Sequence, residues 1–404
     1  AQPPPPAGKA TLGKNNMRIN RIMALAYKGK ALLWAGSPLM NWVSGGSKEY
    51  NTELCKRAAD AFGQALALTE STNRYELADF SEYNDIFLLH NSSGKLNGVK
   101  ESIFMENIKD YSFRWRWNMV NDFRPQSIES SGIKSYPTAN YVNYYGMQNG
   151  YPINDMTKAD AESGYDPTHP WKNRDPRFYK TIMFDGVKWR NTGGAGGTAE
   201  LFTGGRESEE ANEKKGCFTA YMNSKLCPQL MNTFDGYKEN NIMILSLMRL
   251  ADVYLMYAEA TAVGYNSPKG KAATYSLTAE EALNKIRERA GVAPVLEKFL
   301  GSTADFLSEL RRERAVELSF EGFRFTDLRR WMLLTQYPYT LKTKIEFDRA
   351  DPNNYNYDAP EENAIKNLRE VVLIERKYTD RHYWYPLPKK DVSMYEGFYQ
   401  NPGW

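Results

Sequence analysis

Leu250-Ala-Asp-Val-Tyr-Leu-Met-Tyr-Ala-Glu-Ala-Thr-Ala-Val-Gly264 and Thr278-Ala-Glu-Glu-Ala-Leu-Asn-Lys-Ile-Arg-Glu-Arg-Ala-Gly291 decide the fold class. In the first stretch Leu250, Tyr254, Tyr257 and Thr261 fall on one helical stripe, and in the second Ala279, Leu283, Ile286 and Ala290 do the same. Thr278-Ala-Glu-Glu281 has the form of a capping box, and Gly291 with Pro294 stops the second helix. Two alanine-rich helices joined by a short polar connection form one antiparallel pair. A third helix is expected over Thr303–Phe320, broken at Gly322, and a fourth over Phe323–Leu334.

The same construction stands near the start. Met17–Ala35 is rich in Ala, Leu, Ile and Met and ends at Gly36-Ser37-Pro38, and its small residues allow close packing on a neighbour. After a Gly/Ser linker, Ser44–Ser47, an apolar seam runs through Leu54, Ala58, Ala61, Ala65 and Leu68. Helical pairs of about 34 residues point to tetratricopeptide-like stacking, although the full consensus of that repeat is absent. The expected fold is mainly α: tetratricopeptide-like helical pairs carrying a large irregular, loop-rich ligand-binding region. Residues 1–89 and 241–334 form the helical scaffold, 90–240 the loop-rich region, and 335–404 an irregular C-terminal region packing on the scaffold.

Composition excludes several functions. Fifty-two Lys and Arg against 49 Asp and Glu leave a net charge of +3, without the cationic stripe of a nucleic-acid binder. The most apolar stretch, Ile242–Val263, is interrupted by Arg249, Asp252 and Glu259, so no segment suits a bilayer. Ala1–Gly8 holds four consecutive prolines and no export signal. His90, His169 and His382 stand far apart, without metal-ligand spacing. Three Cys leave at most one bridge, with Cys217 and Cys227 as its expected partners. The Gly-rich loops at Thr192–Thr198 and Gly264–Lys271 lack the spacing and preceding strand of a phosphate cradle.

From about His90 to Asn240 periodicity fades while Gly, Asn, Pro, Trp and Tyr accumulate. Of the 36 Trp and Tyr residues (9 and 27), 12 lie between Tyr111 and Arg190, a fifth of the chain. Tyr111–Arg124 alternates, with Phe113, Trp115 and Trp117 on one face and Arg114 and Arg116 on the other. A core strand fits that pattern; so does a platform whose rings stack on sugars while Asn118, Asn121 and Arg124 bond polar groups. Trp115, Trp117 and Trp171 are the candidate stacking surfaces, with Asn118, Asn121 and Arg124 as their polar partners.

The densest charge cluster is Arg311-Arg-Glu-Arg-Ala-Val-Glu-Leu-Ser-Phe-Glu-Gly-Phe-Arg-Phe-Thr-Asp-Leu-Arg-Arg-Trp331. Glu317 and Glu321 stand one turn apart, yet two carboxylates on one helix point the same way and do not flank a glycosidic bond. Pairing of Arg314 with Glu317 and of Arg324 with Asp327, each at i, i+3, is the expected role. The first 48 residues carry seven Lys and Arg and no acid, an asymmetry that carboxylates elsewhere can neutralise.

That cluster resembles the signature helix of the SusD/RagB family, the surface nutrient-binding lipoproteins of Bacteroidetes. Lys30–Asn41, Asn173–Phe178, Arg249–Ala260, Leu283–Gly291 and Gln400–Trp404 agree with the family in the same order. The resemblance implies a non-enzymatic protein that binds an oligosaccharide or polysaccharide and delivers it to a SusC-type TonB-dependent transporter. It implies lipid anchoring on the extracellular face of the outer membrane, through an N-terminal Cys that this chain lacks together with the family's first helices. Other expectations are an oligopeptide-binding member of the family and, further off, a helical glycoside hydrolase. No cofactor is implied, and no structural Ca2+ site is readable in the residues.

Overall fold

The computed structural model describes residues 19–89, 99–105, 135–191, 197–211, 213, 215–226 and 242–404. In chain order these give helices α1 (Arg21–Ala35), α2 (Pro38–Gly45) and α3 (Thr52–Thr72), then strands β1 (Leu88–Leu89) and β2 (Ser102–Met105). The middle holds α4 (Ala139–Val142), α5 (Pro176–Thr181), β3 (Ile182–Met183), β4 (Met222–Asn223), β5 (Ile242–Met243) and β6 (Ser246–Arg249). Then follow α6 (Leu250–Gly264), α7 (Ala279–Ala290), α8 (Thr303–Glu317), α9 (Phe323–Arg330), β7 (Leu341–Arg349), β8 (Ile365–Glu375) and α10 (Lys389–Met394). Each sheet among these is two-stranded and antiparallel, so helices dominate.

The long helices start where side chains satisfy their free amides. The Asn20 side-chain oxygen accepts from the Met23 amide, that of Asn51 from Leu54, and the Ser302 hydroxyl from Asp305. Thr278 and Glu281 form the expected capping box on α7. The helices α1, α3, α6, α7 and α8 bury one continuous apolar cluster, with all fifteen residues of α6 buried in its middle. Gly29 faces the Phe62 ring so closely that a Cβ would come within 2.6 Å of it, which explains the small residues of α1. Helix α1 ends at Gly36 as expected, and Pro38 then opens α2 at once from a position whose amide needs no partner.

The loop-rich region has its own core, in which Trp171, Phe178, Phe184, Trp189 and Tyr221 pack with Phe347 and Ile365 of the last hairpin. Trp171 is fully buried, lies 5.0 Å from the Phe184 ring and 5.2 Å from that of Phe347, and donates its indole N–H to the Tyr221 hydroxyl at 3.3 Å. It is therefore a core residue and not a stacking surface. The C-terminal region is also less irregular than expected. Strands β7 and β8 form the longest ladder among the described residues, and Ile345 and Phe347 enter the core of the loop-rich body instead of the helical scaffold. Tyr383 does pack on the scaffold, against Leu39 of α2. Cys217 is a free, buried thiol donating to the Tyr221 carbonyl, and Cys227, its expected partner, lies outside the described residues.

An ionic ladder ties the two bodies together. Helix α8 presents Glu309, Glu313 and Glu317 at four-residue spacing, Glu321 follows one turn on, and all four are buried. Glu309 meets Arg287, Glu313 meets Arg287 at 3.0 Å and also Arg177, and Glu317 meets Arg177 at 3.0 Å and Arg249 at 2.7 Å. Glu321 meets Arg249 at 2.8 Å and Lys225 at 2.7 Å. Arg314 reaches Asp252 of α6 at 2.9 Å and Asp327 of α9 at 3.0 Å. The local pairs expected within the cluster are thus replaced by pairs between elements, since every one of these side chains points into an interface.

Burial opposes the charge on Glu317, but Arg289, Arg249 and Arg177 outweigh it and hold its carboxyl well below the usual range. Burial likewise opposes charge on Glu313 and Glu321, whose guanidinium and ammonium partners hold them low. A carboxylate depressed on folding stabilises above its unfolded pKa of about 4.3, and that contribution is lost as pH falls towards the folded value. Thermal melts should therefore be flat from neutrality to mild acid and fall below about pH 4.3. Glu317→Ala should cost roughly 3–5 kcal/mol by removing the carboxylate that Arg177, Arg249 and Arg289 share and leaving an excess of buried positive charge; a cost near zero would remove the ladder from the stability of the fold. Trp171→Ala should cost roughly 3–5 kcal/mol in chemical denaturation, and a value under about 1 kcal/mol would be incompatible with a core position.

Candidate functional site

Helix α8 ends at Glu317, and the chain needs an abrupt turn before α9 can start. Phe320 adopts a left-handed φ of 60° and Gly322 one of 88°, the second of which only glycine takes without cost. The turn throws Phe320, Gly322, Arg324 and Phe325 against the segment Tyr136–Tyr141 and the base of the β7/β8 hairpin. Between the three walls lies an open cleft of about 460 Å3. The walls are fixed to each other: the Tyr141 hydroxyl donates to the Ala315 carbonyl at 2.6 Å, and the Asn140 side-chain amide donates to Leu341 at 2.8 Å.

Aromatic and cationic groups share the lining. Tyr136 stacks on Phe218 at 5.8 Å, and Phe320 lies 5.8 Å from Tyr141. Phe325 and Tyr385 stand 6.3 Å apart, both exposed, with the Arg329 guanidinium over each ring. Arg324 lies over the Tyr144 ring at 4.8 Å and the Tyr339 ring at 5.5 Å, which fixes its direction. Lys342 is half-buried; burial first, and then the charges of Arg376 and Arg324, push its ammonium down to about 8. Such a cleft can hold a ring between apolar faces and bond its polar substituents.

Trp115, Trp117, Asn118, Asn121 and Arg124 lie outside the described residues, and Trp171 belongs to the core. Phe325, Tyr385, Arg324, Lys342 and Arg376 were not legible as a site, because they come from segments brought together only by the fold. Phe325 and Arg324 stood inside the quoted charge cluster, where the change from helix to Gly322 marked a turn. Glu317 and Glu321 are unsuited to acid and base roles, being buried and ion-paired. No group of three or more His, Cys, Asp and Glu among the described residues is arranged to hold a metal ion. No helix among them is long and apolar enough to cross a membrane.

Comparison with known proteins agrees with the helical architecture. A SusD-like protein from Bacteroides fragilis superposes with a TM-score of 0.69 at 22% identity, over 98% of this chain and 67% of its own. A SusD-like carbohydrate binding protein, also from Bacteroides fragilis, gives 0.56 at 17%, over 94% and 72%. A SusD superfamily protein from Parabacteroides distasonis gives 0.52 at 17%, over 96% and 64%. No curated protein matches the chain. Residues 100–404, which include the ionic ladder and all three walls of the cleft, match the SusD family, and the chain belongs to that family.

Proposed function

We propose that this protein captures a glycan at the outer face of the outer membrane, held there by a lipid anchor, and passes it uncleaved to a SusC-type TonB-dependent transporter. The observation that carries this reading is the pair of exposed rings, Phe325 and Tyr385, beside a cleft lined by hydrogen-bond donors. Flat rings cover the C–H face of a sugar while donors select its oxygens. Family membership supports the reading, as does the description of one structural relative as a carbohydrate binding protein. Trp115, Trp117, Asn118, Asn121 and Arg124 are proposed as further contacts on their alternating pattern alone.

Chemistry is not part of this role, because the paired acids of the signature stretch are clamped as carboxylates in the core. Screening against neutral and acidic polysaccharides and against peptide mixtures tests the cargo. The double variant Phe325→Ala/Tyr385→Ala should weaken glycan retention about tenfold or more, each ring contributing on the order of 1 kcal/mol, with little change in melting temperature. Undiminished retention would remove these rings from the site. New reducing ends on prolonged incubation would overturn the non-enzymatic reading, and retention of peptides alone would replace the glycan.

A further inference from the structure

Positive charge is handled in two ways in this molecule. In the core Arg177, Arg249, Arg287, Arg314, Arg330 and Lys225 each meet at least one buried carboxylate. Around the cleft the pattern reverses. Arg324, Lys342 and Arg376 converge on one cavity, and none of the three has a carboxylate partner among the described residues. The charges acting on Lys342 are those of two arginines, so each cation there raises the cost of the others. The two acids nearest Arg324 in sequence, Glu321 and Asp327, both turn into the core, the first held by Arg249 and Lys225 and the second by Arg314 and Arg330, while Glu375, next to Arg376, forms no ion pair among the described residues. Glu370, on the adjoining strand, accepts instead from the Thr343 hydroxyl at 2.6 Å. The first turn of α9, which borders the cleft, has no side-chain cap and no acidic residue, so its amides add to the same field.

A fold that gives these six buried cations carboxylate partners, and Arg174 three backbone carbonyls, has left three cations without a carboxylate among the described residues at a cavity large enough for a sugar ring. We propose that the cleft takes a negatively charged sugar, with a carboxylate or sulfate group held between Lys342, Arg324 and Arg376 and the pyranose ring against Phe325. This rests on the glycan reading above and narrows it to acidic glycans. Arg324 is the directional member, since Tyr144 and Tyr339 hold its guanidinium plane, and a planar fork matches the oxygens of a carboxylate. Lys342 supplies a less directional charge from the base of the hairpin.

The test uses the whole chain and its Lys342→Met and Arg376→Gln variants, titrated with a neutral polysaccharide, a polyuronate and a sulfated polysaccharide. Wild type should prefer at least one acidic polymer, with affinity falling as salt is raised. Each variant should lower the ratio of acidic to neutral affinity by about tenfold. Lys342→Met should melt no lower than wild type, because it removes a half-buried charge without a carboxylate partner, and a marked fall would assign Lys342 to the fold instead. Equal affinity for acidic and neutral polymers, unchanged in both variants, overturns the charge inference and leaves glycan capture standing. Binding of acidic peptides with no polysaccharide bound would do the converse: the cationic cleft would stand and the glycan reading fall. The polyuronate and sulfated arms separate a carboxylate from a sulfate ester as the group recognised.

Discussion

Glu317 is the constraint on which the rest of the structure depends. Its carboxylate lies at no measurable exposure among Arg177, Arg249 and Arg289, and its backbone carbonyl accepts from Tyr83, Lys225 and Arg249. Those partners come from α5, β6, α7 and the segments before β1 and after β4, so one residue joins the helical scaffold to the loop-rich body. A buried ion pair is often no more stabilising than an apolar contact, but it is far less tolerant of a wrong neighbour. A shifted register between the two bodies would leave several of these buried charges without their partners.

That register reaches the cleft within one turn of chain. Glu317, Ser319 and Glu321 are pinned by their partners, so the left-handed residues Phe320 and Gly322 between and beside them have little freedom. Arg324 and Phe325 consequently leave the ladder in a set direction. A binding surface whose side chains are already placed spends less entropy on its ligand. The strain at Phe320 is of the kind that persists only where surrounding contacts impose it.

The helical half was legible in the sequence because its signals are local. A 3.6-residue stripe, a capping box at Thr278 and a glycine at 291 each involve neighbours within a turn or two, and helices α6 and α7 follow them closely. The partners of Arg314 and Glu317 were not legible, because spacing along one helix reports only that helix, whereas Asp252 and Arg249 lie more than 60 positions away. Trp171 was misplaced for another reason: aromatic content marks a region, and both a core and a platform are made of the same rings. Leu341–Arg349 carried a usable signal, since Thr343, Ile345, Phe347 and Arg349 alternate inward along β7. Its lysines and acids masked that alternation. The cleft draws on residues 136–141, 320–325, 342 and 376, and no pattern in one segment reports on the others.

The separation of charge in this fold also decides what kind of work it can do. General acid and base catalysis needs groups poised near neutrality that exchange protons as substrate reacts. Here the buried acids of the ladder are held ionised by several cations each, so none of them is free to give or take a proton. The cations of the cleft are arranged the other way, Arg324 and Arg376 lying over tyrosine rings and none of the three having a carboxylate partner among the described residues to absorb its field. With the ladder's acids in the interior and the cleft's cations facing outward, the ionised groups of the signature stretch divide between holding the fold and lining a surface. What it offers outward at the cleft is shape and charge, an open surface of aromatic rings and cations.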